Sequence, residues 1–303
     1  MHRNPLSQFR EDMQLHGLGL LTQEAYQRCV RKFLDYIDKP LSKIGPQDTK
    51  AYLLHLDRDL GRSVSTRNQY AAAFRFLFCE TLGKQWGREK IPNGRAPKKL
   101  PVVISDSQFI ELMRCFESPV HKTLALVCYG AGLRVSEAVS LRVEDIDSER
   151  GVIHVRRGKG NKQRQVTLSE RLLMALRRYW LSCRPQGQYL FPGRGTGTHI
   201  TRAAFCRYLR KTAKKAGIKK HITPHVLRHS YATFLIESGL DLRSVQLLLG
   251  HGSIQSTARY VHLTHARMQS IKGPLDVLAE RLSRDRKRSQ CKQQDKPEPV
   301  PKK

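Results

Sequence analysis

The sequence predicts a mainly helical, two-domain protein with one small β-sheet, and three observations carry that prediction. Apolar residues recur at spacings of three and four through most of the chain, the period of one helix face. That period breaks clearly only once, at GVIHVRRGKGNKQRQVTL, where β-branched residues flank a Gly-Lys-Gly-Asn turn. Between them, residues 90–101 read KIPNGRAPKKLP, with three prolines and a glycine, the composition of a linker. A length of 303 residues fits two domains at roughly 150 residues each. The expected division is a helical domain at 1–92, a basic linker at 93–101, a second domain at 102–284 and a disordered basic tail at 285–303.

The elements follow in order. From Thr22, an apolar stripe of Tyr26, Cys29, Val30, Phe33, Leu34 and Ile37 marks a helix. Pro46 to Leu56 is a second, entered at a proline suited to a first turn. A third runs from about Ser65 to Leu82, with Tyr70, Phe74, Leu77 and Phe78 on its core face and Gly83 as its stop. Helices are then expected at 105–117, 119–131 and 135–142. Val152, Ile153 and Val155 form one β-run and Gln165 to Leu168 another. Helices follow at 169–183, 199–216, 224–238, 241–249 and 254–262, with a loop at GRGTGT (193–198). The last candidate, 274–284, carries Leu275, Leu278 and Leu282 on one stripe.

Charge narrows the partner. The chain has 55 Lys and Arg against 26 Asp and Glu, a formal net charge of +29. Residues 1–92 hold 15 basic and 10 acidic residues and 281–303 hold 9 and 3, so the middle carries most of the excess. Such a surface does not suit a small-metabolite enzyme; it suits a polyanion, either nucleic acid or an acidic membrane face. No apolar run is long enough to span a bilayer, and MHRNPLSQFREDMQ has no apolar h-region, so a membrane protein is not expected. Cysteines at 29, 79, 115, 128, 183, 206 and 291 are odd in number and show no CxxC pair. They read as reduced thiols in a cytoplasmic protein.

Four stretches carry chemistry. In AGLRVSEAVSLRVEDI, Arg134 follows a glycine bend and opens a helix, where a guanidinium fork meets phosphate well. In GKGNKQR, Lys159 sits between two glycines at the hairpin tip. In ITPHVLRHSYAT, Pro224 starts a helix that places His225 and Arg228, three apart, on one face. In LLLGHGSIQSTARYVH, His251 follows a helix-ending glycine and Tyr260 lies nine residues on. His221, His225 and His229 have a spacing that can suit zinc, but Pro224 interrupts them and no acidic base or cysteine pair accompanies them.

Together these stretches supply two arginines, a lysine, two histidines and a tyrosine, without the carboxylate cluster that holds magnesium in nucleases and polymerases. That set points to phosphoryl transfer without a metal, through a side-chain nucleophile and a covalent intermediate.

GLRVSEA, GKGNKQR, HVLRHSYAT and LGH with a tyrosine nine residues later, in this order, resemble the phage-integrase family of tyrosine recombinases. The nearest likeness is to bacterial Xer-type and transposon-associated integrases, and it covers about residues 101–265. The helical 1–92 segment resembles, more loosely, the family's SAM-like core-binding domain. The resemblance implies that two domains clamp duplex DNA at specific recombination sites, in integration, excision, transposition or resolution. Tyr260 would attack the scissile phosphate to give a 3′-phosphotyrosyl bond. Arg134 and Arg228 would hold the non-bridging oxygens, and Lys159 would protonate the leaving 5′-oxygen. His225 would assist proton transfer at the tyrosine, and His251 would donate a hydrogen bond to the phosphate. Glu137, Asp145 and His229 match supporting positions. The resemblance further implies no ATP or metal cofactor and a homotetramer that passes through a Holliday junction. The helix at 274–284 would pack on a neighbouring protomer, accessory proteins would be optional, and the enzyme would work in the cytoplasm on the nucleoid.

A non-catalytic DNA-binding regulator of the same fold, a basic RNA-binding or ribosome-associated protein and a type IB topoisomerase are the alternatives. The complete set of six residues counts against the first, and the ordered motifs count against the second.

Overall fold

The computed structural model describes residues 4–87, 89–95, 101–156 and 163–250. The chain divides into two compact units, Met1–Lys99 and Leu100–Lys303. Among the described residues its architecture is the expected one: mostly helices, with one small antiparallel sheet in the second unit.

The first unit holds α1 (Pro5–Leu15), α2 (Leu20–Ile37), α3 (Pro46–Arg58) and α4 (Val64–Arg75). Helix α1 was not expected from periodicity. It begins on an Asn4 side chain that accepts from the Leu6 amide, with Pro5 in its first turn, and it buries Phe9 and Met13. Helix α4 starts at Ser63 and gives way at Phe76–Thr81 to a π-helical turn, where one continuous α-helix was expected. The wider turn lets Phe76 face α1, its ring 5.8 Å from that of Phe9, while Leu77 and Phe78 remain fully buried. Phe33 meets Tyr52 and Phe78 edge to face and Phe74 at a tilt in the core, with Phe33 and Phe74 centred 4.5 Å apart. Beyond the π-turn the chain is tied back to α4. Asn68 exchanges two hydrogen bonds with Gly94 (3.0 and 2.8 Å), and Arg75 donates to the Ile91 carbonyl at 2.6 Å and to Asn93 at 3.0 Å.

The second unit holds α5 (Asp106–Arg114), α6 (Pro119–Gly130), α7 (Val135–Val139), β1 (Ile146–Asp147), β2 (Val152–Val155) and β3 (Arg164–Thr167). These are followed by α8 (Glu170–Cys183), α9 (Arg202–Lys215), α10 (Pro224–Glu237) and α11 (Leu242–Leu249). The sheet order is β1-β2-β3, with Ile153 opposite Val166. Strand alternation turns Ile153, Val155 and Val166 into the core. Strand β1, two residues long, is too short for a period to show. Helix α6 packs on α8 and α10. Ser118, Ser169, Thr201, Thr223 and Asp241 cap α6, α8, α9, α10 and α11 with side-chain oxygens, as their sequence positions favour. Helix α10 buries nine of its fourteen residues, Arg228 on its second turn among them.

The six described cysteines are free thiols. Among the described residues no helix is long and apolar enough to cross a membrane. The expected helices at 254–262 and 274–284 and the tail lie outside the described residues.

Candidate active site

The site is built around one buried carboxylate. A left-handed Gly132 (φ +62°) turns the chain out of α6, and Arg134 then caps α7. Glu137, three residues into that cap, accepts the Arg134 backbone amide at 2.8 Å and Arg134 Nη1 at 2.7 Å. From the hairpin, Arg164 forks onto the same carboxylate, Nη1 at 2.8 Å and Nη2 at 2.7 Å. From α10, Arg228 Nη1 comes within 3.7 Å of Glu137 Oε2. The Glu137 side chain is 3% exposed, Arg228 4% and Arg164 10%, while Arg134 keeps 19% and the most open face of the three. Burial by itself would push the Glu137 carboxyl up. The Arg164 fork, followed by Arg134, more than offsets this and holds it below the ordinary carboxylate range.

The guanidiniums also grip backbone. Arg134 Nη2 donates to the Gly250 carbonyl at 2.6 Å. Arg228 donates to the Gly132 carbonyl at 2.7 Å and to the Leu249 carbonyl. Arg164 Nε donates to the Leu248 carbonyl at 3.1 Å. Three consecutive carbonyls at the end of α11 are thus each held by a different arginine. Gly250, in the left-handed conformation (φ +60°), closes that helix immediately before His251.

His225 stands on the first turn of α10, exposed at its surface. Protein crowding its inner side, then the charges of Arg228 and Arg134, hold its pKa below the usual imidazole value. It is therefore neutral near pH 7 and able to accept a proton. The His229 ring lies 6.3 Å from that of His225. Among the described residues no group of three or more His, Cys, Asp or Glu could hold a metal.

Of the six residues singled out from sequence, the structure gathers Arg134, His225 and Arg228 into this cluster. Lys159, His251 and Tyr260 lie outside the described residues. The described residues that flank Lys159's segment, and those that lead up to His251, are held by ion pairs and hydrogen bonds. Arg156, at the exit of β2, pairs with Asp145 and, at 3.0 Å, with Glu144. Arg164, at the entry of β3, pairs with Glu137. Arg156 and Arg164, on either side of the stretch that carries Lys159, thus both pair with acids of GLRVSEAVSLRVEDI. Arg164 was not anticipated. Its partner lies 27 residues away, and the only sequence hint was an arginine directly before the expected β-run at Gln165 to Leu168. A cleft of about 720 Å³ opens beside Glu137, with Arg142, Arg156, His199 and Arg202 on its walls. Helix α9, which starts at that wall, has six basic residues and no acidic one in fourteen.

A model of the phage integrase family matches residues 103–267, and a model of the phage integrase N-terminal SAM-like domain matches residues 6–88. The chain is 38% identical over 276 residues to y4qK of Sinorhizobium fredii, described as an integrase/recombinase, covering 90% of this chain and 89% of that one. It is 31% identical over 261 residues to the tyrosine recombinase XerA of Pyrococcus horikoshii, covering 86% and 89%. Its fold is similar to that of XerH site-specific recombinase, solved bound to a palindromic difH substrate as a post-cleavage complex. That match has a TM-score of 0.67 and 23% identity, and covers 85% of this chain and 81% of that one.

Proposed function

Since the chain belongs to the phage integrase family of tyrosine recombinases, and so is a DNA strand-transferase of site-specific recombination, we propose that it cuts and rejoins duplex DNA through a 3′-phosphotyrosyl link at Tyr260. The observation that carries this reading is the convergence of Arg134 and Arg228, from separate elements, on one buried carboxylate beside a neutral imidazole.

The tyrosine oxygen attacks the phosphorus, a new P–O bond forms to it, and the P–O5′ bond breaks. The phenolic proton passes to His225, and the departing 5′-oxygen takes a proton from Lys159. Arg134 and Arg228 face the non-bridging oxygens, where negative charge must be held as the phosphorus becomes five-coordinate. Their backbone anchors mean little reorganisation is needed when the phosphate arrives. His251 donates a further hydrogen bond. The phosphotyrosyl bond stores the energy of the broken phosphodiester, so religation needs neither ATP nor a divalent ion. Duplex DNA is the substrate, favoured by the net charge of +29 and by the basic face of α9. Four protomers on two sites, linked through segment 274–284, would exchange strands in pairs.

The test is an adduct assay. A nicked duplex is made from the sequence that the protein footprints in DNA flanking its own gene, and is incubated with the protein in EDTA. An SDS-resistant protein–DNA adduct is expected from wild type and none from Tyr260→Phe, with DNA binding retained in both. An adduct that persists in Tyr260→Phe rules out this nucleophile, and its absence from wild type favours a DNA-binding regulator.

A further inference from the structure

Arg164 is absent from the set of six and touches no position assigned to phosphate, yet it sits where three strands of the site meet. Its guanidinium forks onto both oxygens of Glu137, its Nε holds the Leu248 carbonyl, and its side chain lies against Gly250. A Cβ at Gly250 would stand 2.8 Å from Arg164 Cδ and 3.0 Å from its Nε. One side chain therefore joins the hairpin that carries Lys159, the carboxylate that aligns Arg134 and Arg228, and the helix end that leads to His251.

We propose that Arg164 is a positioning residue for cleavage: it occupies Glu137 bidentately, so that this carboxylate aligns Arg134 and Arg228 while its one negative charge is shared among three guanidiniums. The physical basis is a competition. One carboxylate faces three guanidiniums, which leaves two positive charges for the phosphate. Arg164 takes both Glu137 oxygens in fork geometry, so Arg134 shares one of them through Nη1 at 2.7 Å and Arg228 stays at 3.7 Å. Without Arg164 the same carboxylate meets only two guanidiniums, both of which the phosphate needs. Glu137 then binds Arg134 more fully and draws Arg228 in from 3.7 Å, and the Leu248–Gly250 turn loses one of its three side-chain holds. The inference rests on the recombinase reading above.

The experiment uses the full-length protein and the same nicked duplex. It reads the single-turnover rate of adduct formation and, separately, the DNA concentration at half-saturation. Arg164→Gln is expected to slow adduct formation by roughly 100-fold, the scale of a small misplacement of reacting groups, with half-saturation unchanged. Arg164→Lys keeps the charge but not the fork and is expected to fall between the two. Arg164→Gln/Glu137→Gln is expected to be about tenfold faster than Arg164→Gln alone, because the competing carboxylate is gone. A merely structural arginine would not show that recovery at unchanged affinity. Arg164→Gln at the wild-type rate, or a double variant no faster than the single one, overturns the proposal. If Arg164→Gln does not fold, Arg164→Lys decides: a slower rate at unchanged half-saturation supports the role, and a wild-type rate overturns it. Failure of the parent reading is distinguishable, because wild type would then form no adduct or Tyr260→Phe would form one, and either result sinks both.

Discussion

Replacing Glu137 with alanine removes the one negative charge among three guanidiniums. The carboxylate accepts four hydrogen bonds, at 2.8, 2.7, 2.8 and 2.7 Å. At roughly 1.5–3 kcal/mol for each bond to a charged group, the gross interaction is large. The net loss is smaller, because Arg134 retains a solvent face and regains water on truncation. Breaking a buried ion pair by deleting one partner costs about 3–5 kcal/mol, and at 3% exposure the site needs no discount for screening. In a unit of about 200 residues each kcal/mol moves Tm by about 2–4 °C, so a drop of roughly 6–20 °C is expected. Differential scanning calorimetry of the full chain reads it, and only the transition of the second unit should move. Glu137→Gln, which keeps the shape and loses the charge, should fall between. Acid supplies a second check. The carboxyl is held below its ordinary pKa, so its contribution is complete above the unfolded value of about 4.3 and is lost as pH falls through the lower folded value. The gap between wild type and Glu137→Gln should therefore close on acidification below pH 4. A Glu137→Ala protein melting within 2 °C of wild type at pH 7 would refute the reasoning.

Two further outcomes follow from the same geometry. His225 is held below the usual imidazole pKa, so cleavage that uses it as a proton acceptor should persist at pH values below about 6.5 and decline only in stronger acid; a pH–rate profile that already breaks at or above 6.5 contradicts that role. Gly132→Ala should destabilise by about 2–5 kcal/mol, from a left-handed residue with a Cβ and from overpacking against Tyr231 (Cε1 at 2.6 Å) and Leu249; urea unfolding at unchanged m reads it, and a midpoint equal to wild type would show that the bend tolerates a side chain.

The helices were legible where an apolar stripe, a cap and a proline or glycine stop agreed, as at Pro224 with Thr223 ahead of it. They were less legible where tertiary contacts decide. The π-turn at Phe76–Thr81 keeps the hydrophobic spacing of an α-helix, so nothing in the pattern marks it. Helix α1 offers a short stripe of Leu6, Phe9 and Met13, and Leu6 stays exposed. In the site, Arg134, His225 and Arg228 stood out through the ordered motifs that carry them, GLRVSEA and HVLRHSYAT, and not singly. Glu137 read as a supporting acid, and only the structure shows it at the centre of three arginines. Arg164 was invisible for a physical reason. Its significance lies in a partner 27 residues away and a carbonyl 84 residues away, and neither distance leaves a period.

The hold on the turn ahead of His251 is made entirely through peptide oxygens, at Leu248, Leu249 and Gly250. Every amino acid brings the same oxygen, so exchanging the side chains at 248 and 249 cannot delete the mooring. Alanine at either position would pass over it in silence. Short of removing an arginine donor, what would cast it loose is an edit to the main chain itself, such as an ester in place of an amide, which weakens the carbonyl as an acceptor while leaving every side chain as it was.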